Sequence, residues 1–304
     1  MKSFPTVEAL ASATDDDINS HWAGLGYYRR GKFLHQGAKH VVHNLKGTLP
    51  NTVPALMKIP GIGKYSASAI ASIAFKEYVP VVDGNVCRVF SRLRAIANHI
   101  QAPSFKDSND GCWKLANTLF VLQPTIDDSG NEAGDLNQAL MELGATLCAP
   151  IGSTGVDQDD PFTELYLSTV IGKAIAKRTE DEASSQKWDI HDFISEARKV
   201  RASKNVFCKL CDPKGIDHVL FDIHQKLQDA QKSSPKPKGT SKNRKNTENI
   251  SASSIGHNAF PLINPKKPKK EEVLVASVLT FLVGKEVKWL MVRRPDKGLL
   301  AGQW

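Results

Sequence analysis

The run Leu56-Met57-Lys58-Ile59-Pro60-Gly61-Ile62-Gly63-Lys64-Tyr65 constrains the fold more than any other part of the chain. It reads as the end of one helix, a Pro-Gly-apolar-Gly turn and the start of another. Two glycines a residue apart admit φ > 0 and let another backbone approach where a Cβ would block it. Such a turn presents backbone N–H groups at a helix N-terminus, a ready site for an anion. Alone, it is also what a plain helical hairpin looks like. Lys64 stands beside it, and 40 Lys+Arg against 32 Asp+Glu leave the chain at +8, so a nucleic-acid phosphate is the favoured anion. Tyr65 to Phe75, rich in Ala, Ser and Ile, predicts a helix whose small side chains allow close packing.

Elsewhere before residue 150 the pattern stays helical. Leu136, Ala139, Leu140 and Leu143 fall at i, i+3, i+4 and i+7, which predicts one buried helix face. Val81-Val82-Asp83-Gly84-Asn85-Val86-Cys87-Arg88 places an aspartate directly before an amphipathic stretch; alone, that is the signature of an N-cap. From Lys232 to Lys245 the basic residues Lys232, Lys236, Lys238, Lys242, Arg244 and Lys245 are spaced by Pro, Ser, Gly, Thr and Asn with no acidic residue. Lys266-Lys267-Pro268-Lys269-Lys270 closes the same region. Too little apolar surface is available there to offset the entropy of ordering, so 231–270 reads as a basic disordered linker. The bland role is a tether; a localisation signal or a nucleic-acid contact is compatible with it. Val273 to Val283 and Val287 to Val292 then read as a β-hairpin turning at Gly284-Lys285-Glu286.

Composition excludes several classes. Apolar residues are 41% and charged ones 24%, an ordinary globular balance, and five cysteines do not make a secreted disulfide scaffold. No apolar run approaches the roughly 18 residues of a membrane span. Pro5 and Glu8 fall where a signal peptide needs an apolar core. The expectation is a soluble intracellular protein with a polyanionic partner.

Two further segments, Trp22-Ala23-Gly24-Leu25-Gly26-Tyr27-Tyr28-Arg29-Arg30-Gly31 and Asp135-Leu136-Asn137-Gln138-Ala139-Leu140-Met141-Glu142-Leu143-Gly144-Ala145-Thr146-Leu147-Cys148, join the hairpin and Asp83 in order. Together they resemble the adenine DNA glycosylases of the MutY type, within the helix-hairpin-helix base-excision glycosylases. The resemblance implies a mostly α helix-hairpin-helix body that binds duplex DNA carrying an 8-oxoguanine:adenine pair. Asp83 is the implied carboxylate facing the oxocarbenium character that builds on the sugar as the N-glycosidic bond breaks. Asn85 and Tyr65 support it. Lyase-type glycosylases place a lysine at position 65 to form a Schiff base; Tyr65 cannot, so a monofunctional mechanism is implied. Tyr27 is the implied wedge that replaces lost stacking when adenine is flipped out. Gly24 and Gly26, in the same segment, are implied DNA-binding residues. Arg29, Arg30, Gly61, Gly63 and Lys64 are implied phosphate contacts. The tail from Lys266 to Trp304, with Arg293-Arg294-Pro295, is similar to the opening of that family's Nudix-like domain.

The resemblance also implies a [4Fe–4S] cluster, held by Cys-x6-Cys-x2-Cys-x5-Cys after the Leu-Gly-Ala helix. Cys148 matches the first ligand. Cys208 and Cys211 keep the x2 spacing but lie beyond an insertion, and a fourth ligand at the family spacing falls on Asp217, with His218 next. Four thiolates are the usual requirement, so the set is incomplete. The family's catalytic acid, a glutamate upstream of Gly-Leu-Gly-Tyr-Tyr, has no match, because Glu8 lies too close to the tyrosines. The expectation is therefore a fragment with slow turnover. The implied division is a glycosylase domain over 1–150, an insertion over 151–207, a remnant of the iron–sulfur region over 208–230, the linker over 231–270 and the start of the Nudix-like domain over 271–304. Nuclear and mitochondrial location, a monomeric state, repair or clamp proteins at the linker and no membrane complete the expectation. The alternative is a non-catalytic DNA-binding remnant.

Overall fold

The described residues are mostly helical, as the 3.6-residue periodicity predicts. The structure, a computed structural model, describes residues 3–102, 105, 111–122, 132–150, 161–182, 213–232, 252–263, 280–283 and 286–289. Contacts divide it into two units, one of residues 1–67 with 265–304 and the other of residues 68–264. Among the described residues no helix is long and apolar enough to cross a membrane.

In the first unit α1 (Val7–Ser12), α2 (Asp15–Trp22), α3 (Arg29–Asn44) and α4 (Val53–Leu56) precede α5 (Lys64–Ala69). Helix starts are set locally. Thr6 Oγ1 accepts from the Ala9 N–H at 3.2 Å. Thr14 and Asp17 form a capping box, each side chain accepting from the other's N–H, and the Thr14 hydrogen bonds lower the Asp17 carboxyl pKa. Ala11, Ile18, Ala38, Val41, Leu56 and Ile59 are buried.

The second unit begins with a π-helical turn (Ile70–Ala74) that continues α5. It goes on through α6 (Gly84–Arg94), α7 (Cys112–Leu122) and α8 (Glu132–Ala145). One core joins Val86, Cys87 and Phe90 of α6 to Cys112 and Ala116 of α7. The expected face of α8 is rotated. Ala139 is exposed and Leu136, Leu140 and Leu143 are half-buried, whereas Ala133, Asn137 and Gly144 are buried. A buried asparagine and glycines carry no apolar signal, so periodicity chose a neighbouring stripe.

The second half adds further helices to this unit. Within the insertion, α9 (Leu167–Glu182) is part of a core, burying Ile171 and Ile175. Within the region read as disordered linker, α11 (Ala252–Asn258) packs on α9 and on α10 (Pro213–Lys232), burying Ile255, Ala259 and Phe260. Its sequence reads as polar because the contact is made by glycine: a Cβ on Gly172 would lie 2.9 Å from the Gly256 Cα, and one on Gly256 2.8 Å from the Gly172 Cα. Backbone meets backbone there, which hydropathy does not register.

The expected hairpin is present as β1 (Thr280–Val283) and β2 (Glu286–Trp289), antiparallel, with Thr280 opposite Trp289 and Val283 opposite Glu286. Glu286, expected in the turn, is a strand residue. The rest of the tail, expected to open a Nudix-like domain, lies outside the described residues.

Candidate functional site

The first unit builds the Trp22–Tyr28 elbow from strained backbone. Gly24 has φ 80°, Gly26 φ 68° and Tyr27 φ 48°, the left-handed region that side chains avoid. Tyr27 is held there with its ring 85% exposed. The supports are close by. The Trp22 Nε1–H donates to the Gly26 carbonyl at 3.2 Å, and Arg30 Nη2 reaches the Leu25 and Gly26 carbonyls at 3.4 Å each. The Arg30 guanidinium lies 5.6 Å from the Trp22 ring and 5.7 Å from the Tyr27 ring, within cation–π range. Arg30 is thus a brace of the elbow, whereas Arg29 lies over Phe33 at 5.7 Å. Gly31, given no role by the sequence, is where Trp22 packs: a Cβ there would meet its ring at 2.9 Å.

The hairpin turn uses its glycines differently. Gly61 has φ 83°, and a Cβ on it would lie 2.6 Å from the Phe33 Cβ, so conformation and space both demand glycine. Gly63 faces open space. Lys64 and Tyr65, at the start of α5, are exposed. An exposed lysine beside an open glycine leaves room for a phosphate oxygen at this turn.

Asp83 and Asn85 lie in the second unit, so the structure gathers the sequence candidates into separate groups. Asp83 is the N-cap of α6: Oδ1 accepts from the Val86 N–H at 2.8 Å, while Oδ2 accepts from Asn85 Nδ2 at 2.9 Å. Asn85 Oδ1 in turn accepts from Arg88 Nη2 at 2.6 Å. Arg88 also donates to the Gly144 carbonyl at 2.7 Å and the Cys148 carbonyl at 2.9 Å. Burial lowers the Arg88 pKa, and the nearby Asp83 opposes that shift. The chain Arg88–Asn85–Asp83 fixes which end of the Asn85 amide faces the carboxylate. Gly144 allows it, since a Cβ there would lie 2.6 Å from Asn85. Sequence reading named Asp83 and Asn85 but missed Arg88, which joins Asn85 three residues back to main-chain carbonyls far along the chain.

Cys148 is fully buried beside Val89 and Tyr166, and the buried Arg92 hydrogen-bonds its side chain. Arg92 also donates to the Ala149 carbonyl at 3.0 Å and the Phe260 carbonyl at 3.2 Å. His257 stacks edge-on to Tyr166 at 4.7 Å; burial first, then Arg92, lowers its pKa to about 3. A cluster needs several ligands in one place. Among the described residues no three His, Cys, Asp or Glu side chains gather, and Asp217 and His218 on α10 do not complete a set with Cys148. Cys208 and Cys211 lie outside the described residues. The described residues therefore do not by themselves fit a [4Fe–4S] cluster.

Residues 1–114 match the HhH-GPD superfamily base excision DNA repair protein family. Over its full length the chain is 33% identical to the adenine DNA glycosylase of Homo sapiens and 31% identical to that of Schizosaccharomyces pombe, covering 46% and 53% of those proteins. Over 43% of its length it is 54% identical to the adenine DNA glycosylase of Arabidopsis thaliana, covering 19% of that protein. The chain thus spans about half the length of the human and fission-yeast relatives. A solved thermostable thymine-DNA glycosylase aligns over 55% of this chain and 70% of its own at a TM-score of 0.43 and 23% identity. Residues 1–114, which carry the elbow, the hairpin and the start of the Asp83 helix, match the HhH-GPD superfamily of base excision DNA repair proteins.

Proposed function

We propose that this protein is a monofunctional DNA N-glycosylase that releases adenine paired with 8-oxoguanine or guanine. The carrying observation is the Asp83–Asn85 pair: a carboxylate at the start of α6, oriented by an amide that Arg88 holds in turn. As the N-glycosidic bond lengthens, positive charge grows on the sugar, and a fixed carboxylate stabilises it without reorganising. The bond's electron pair leaves with the base, which takes its proton from solvent, and water adds its hydroxyl to the sugar carbon and gives its other proton back to solvent. Tyr65 supplies no amine, so no imine forms and the strand is not nicked. Tyr27, exposed and strained, fits a side chain that fills the gap left by an extruded base. Lys64, the Gly61–Gly63 turn and Arg29 would take phosphates.

One observation favours the second reading, a DNA-binding protein without catalysis: both Asp83 oxygens already serve the helix start and Asn85. Binding and long single-turnover time courses on an 8-oxoguanine:adenine duplex separate the two. Slow adenine release lost in Asp83→Asn, with duplex binding retained, is the expected result; release equal in the variant would sink the catalytic role. Duplex affinity should fall as salt rises. Tyr27→Ala should weaken binding to the lesion duplex more than to plain duplex, and equal losses would remove the wedge. The basic stretches at 232–245 and 266–270 support nuclear delivery and a repair or clamp partner, and mitochondrial delivery belongs to the same reading.

A further inference from the structure

The segment from Val79 to Val82 is neither helix nor strand, with Val81 and Val82 buried, and no strand lies beside it among the described residues. Buried main-chain groups need partners. They find them in one side chain from a distant helix. Asn137 of α8, itself fully buried, accepts the Val81 N–H on Oδ1 at 2.8 Å and donates from Nδ2 to the Val79 carbonyl at 2.9 Å. An acceptor and a donor offered to residues two apart is what a neighbouring strand's peptide group would present. The second Nδ2 hydrogen goes to Ser72 Oγ at 3.0 Å. Ser72, also fully buried, sits in the π-helical turn, a helix irregularity that recurs at functional sites.

We infer that Asn137 is a positioning residue for Asp83: its carboxamide acts as a one-residue strand that fixes where the Val79–Val82 segment delivers the carboxylate. This rests on the glycosylase reading of Asp83. The amide clamps position 81, two residues before Asp83, and the cap to Val86 holds the next step. Without the clamp, the segment loses its hydrogen bonds to α8 just before the aspartate, so the carboxylate can shift while α6 stays folded. The role is separate from DNA contact, because Asn137 has no exposed surface.

The test uses the 304-residue chain as wild type, Asn137→Ala and Ser72→Ala, with a duplex carrying one 8-oxoguanine:adenine pair. Amide hydrogen exchange at Val86, which reports the Asp83 cap, is compared with Phe90 deeper in the same helix. Asn137→Ala should speed exchange at Val86 by about tenfold while Phe90 stays protected, because the opening is local. Its single-turnover adenine release should fall by up to about 10²-fold, the size expected when a reacting group is misplaced by about 1 Å. Affinity for the duplex should remain within about threefold, since the phosphate contacts that dominate affinity are untouched. Ser72→Ala, which leaves both main-chain bonds of the amide, should move the same readouts in the same direction by less. Wild-type exchange at Val86 and wild-type release in a folded Asn137→Ala would overturn the inference. If Asn137→Ala does not fold, unchanged exchange and release in Ser72→Ala overturn it instead. If the wild type releases no adenine, the glycosylase reading fails, and exchange at Val86 alone decides whether Asn137 positions the aspartate.

Discussion

In the proposed glycosylase, Asp83 holds the start of α6 and faces a reacting sugar with the same two oxygens. Replacing it separates the tasks. Asparagine keeps an oxygen for the Val86 N–H, and it caps helices about as well as aspartate; alanine keeps nothing. Asp83→Ala should therefore lose about 1 kcal/mol in urea unfolding and Asp83→Asn clearly less, while both lose adenine release. Equal stability of the two variants would show that the cap contributes nothing. Asp83 and Asn85 were legible because they are neighbours in the chain and their residue types state their chemistry. Arg88 and Asn137 were not. Arg88 is defined by the carbonyls of Gly144 and Cys148, and Asn137 by the main chain at positions 79 and 81. Main-chain partners leave no mark in a sequence motif.

Helix packing in the second unit depends on the absence of side chains as much as on their presence. Gly256→Ala should destabilise by about 1–3 kcal/mol, as overpacking a close contact does, because its Cβ would lie 2.8 Å from the Gly172 Cα. Gly63→Ala faces open space and should stay within about 0.5 kcal/mol of wild type while weakening duplex binding. Chemical denaturation of both variants checks the contrast, and equal losses would contradict it. The same α11 carries His257, whose pKa is lowered to about 3 from an ordinary value of 6.5. Between those values the unfolded chain binds a proton that the folded chain refuses, so stability is full above pH 6.5 and drains as pH falls toward 3. From this group, the step from pH 7 to pH 5 should remove about 2 kcal/mol. His257→Gln should flatten that part of the pH profile, and an unchanged slope would place the titration elsewhere. None of this was visible in a polar, serine-rich stretch read as linker.

Across the whole chain, Cys148, Cys208 and Cys211 are three thiolates in the family's order where a [4Fe–4S] cluster usually takes four. Iron and acid-labile sulfide should accordingly be substoichiometric after anaerobic reconstitution. A stable four irons per chain would show that Cys208 and Cys211, with a further ligand, close the set with Cys148. Single replacements of Asp217 and His218 would then identify that ligand. Thermal unfolding with and without reconstitution gives the complementary reading: equal midpoints are expected if the helices α9, α10 and α11 hold this region without metal.

The sequence by itself determined the helical class, the two glycines of the hairpin turn, the capping aspartate and the short hairpin near the end. Each rests on local chemistry: a φ only glycine reaches freely, a side chain bonded to a backbone group three residues on, an alternation of period two. Tertiary structure alone decided that part of the insertion and part of the linker form one core. It also decided that Arg30 braces the elbow, and that a buried asparagine stands in for a missing strand. Those outcomes depend on backbone approaching backbone and on amides finding carbonyls far along the chain. Neither the hydropathy of a residue nor its neighbours in sequence records such contacts.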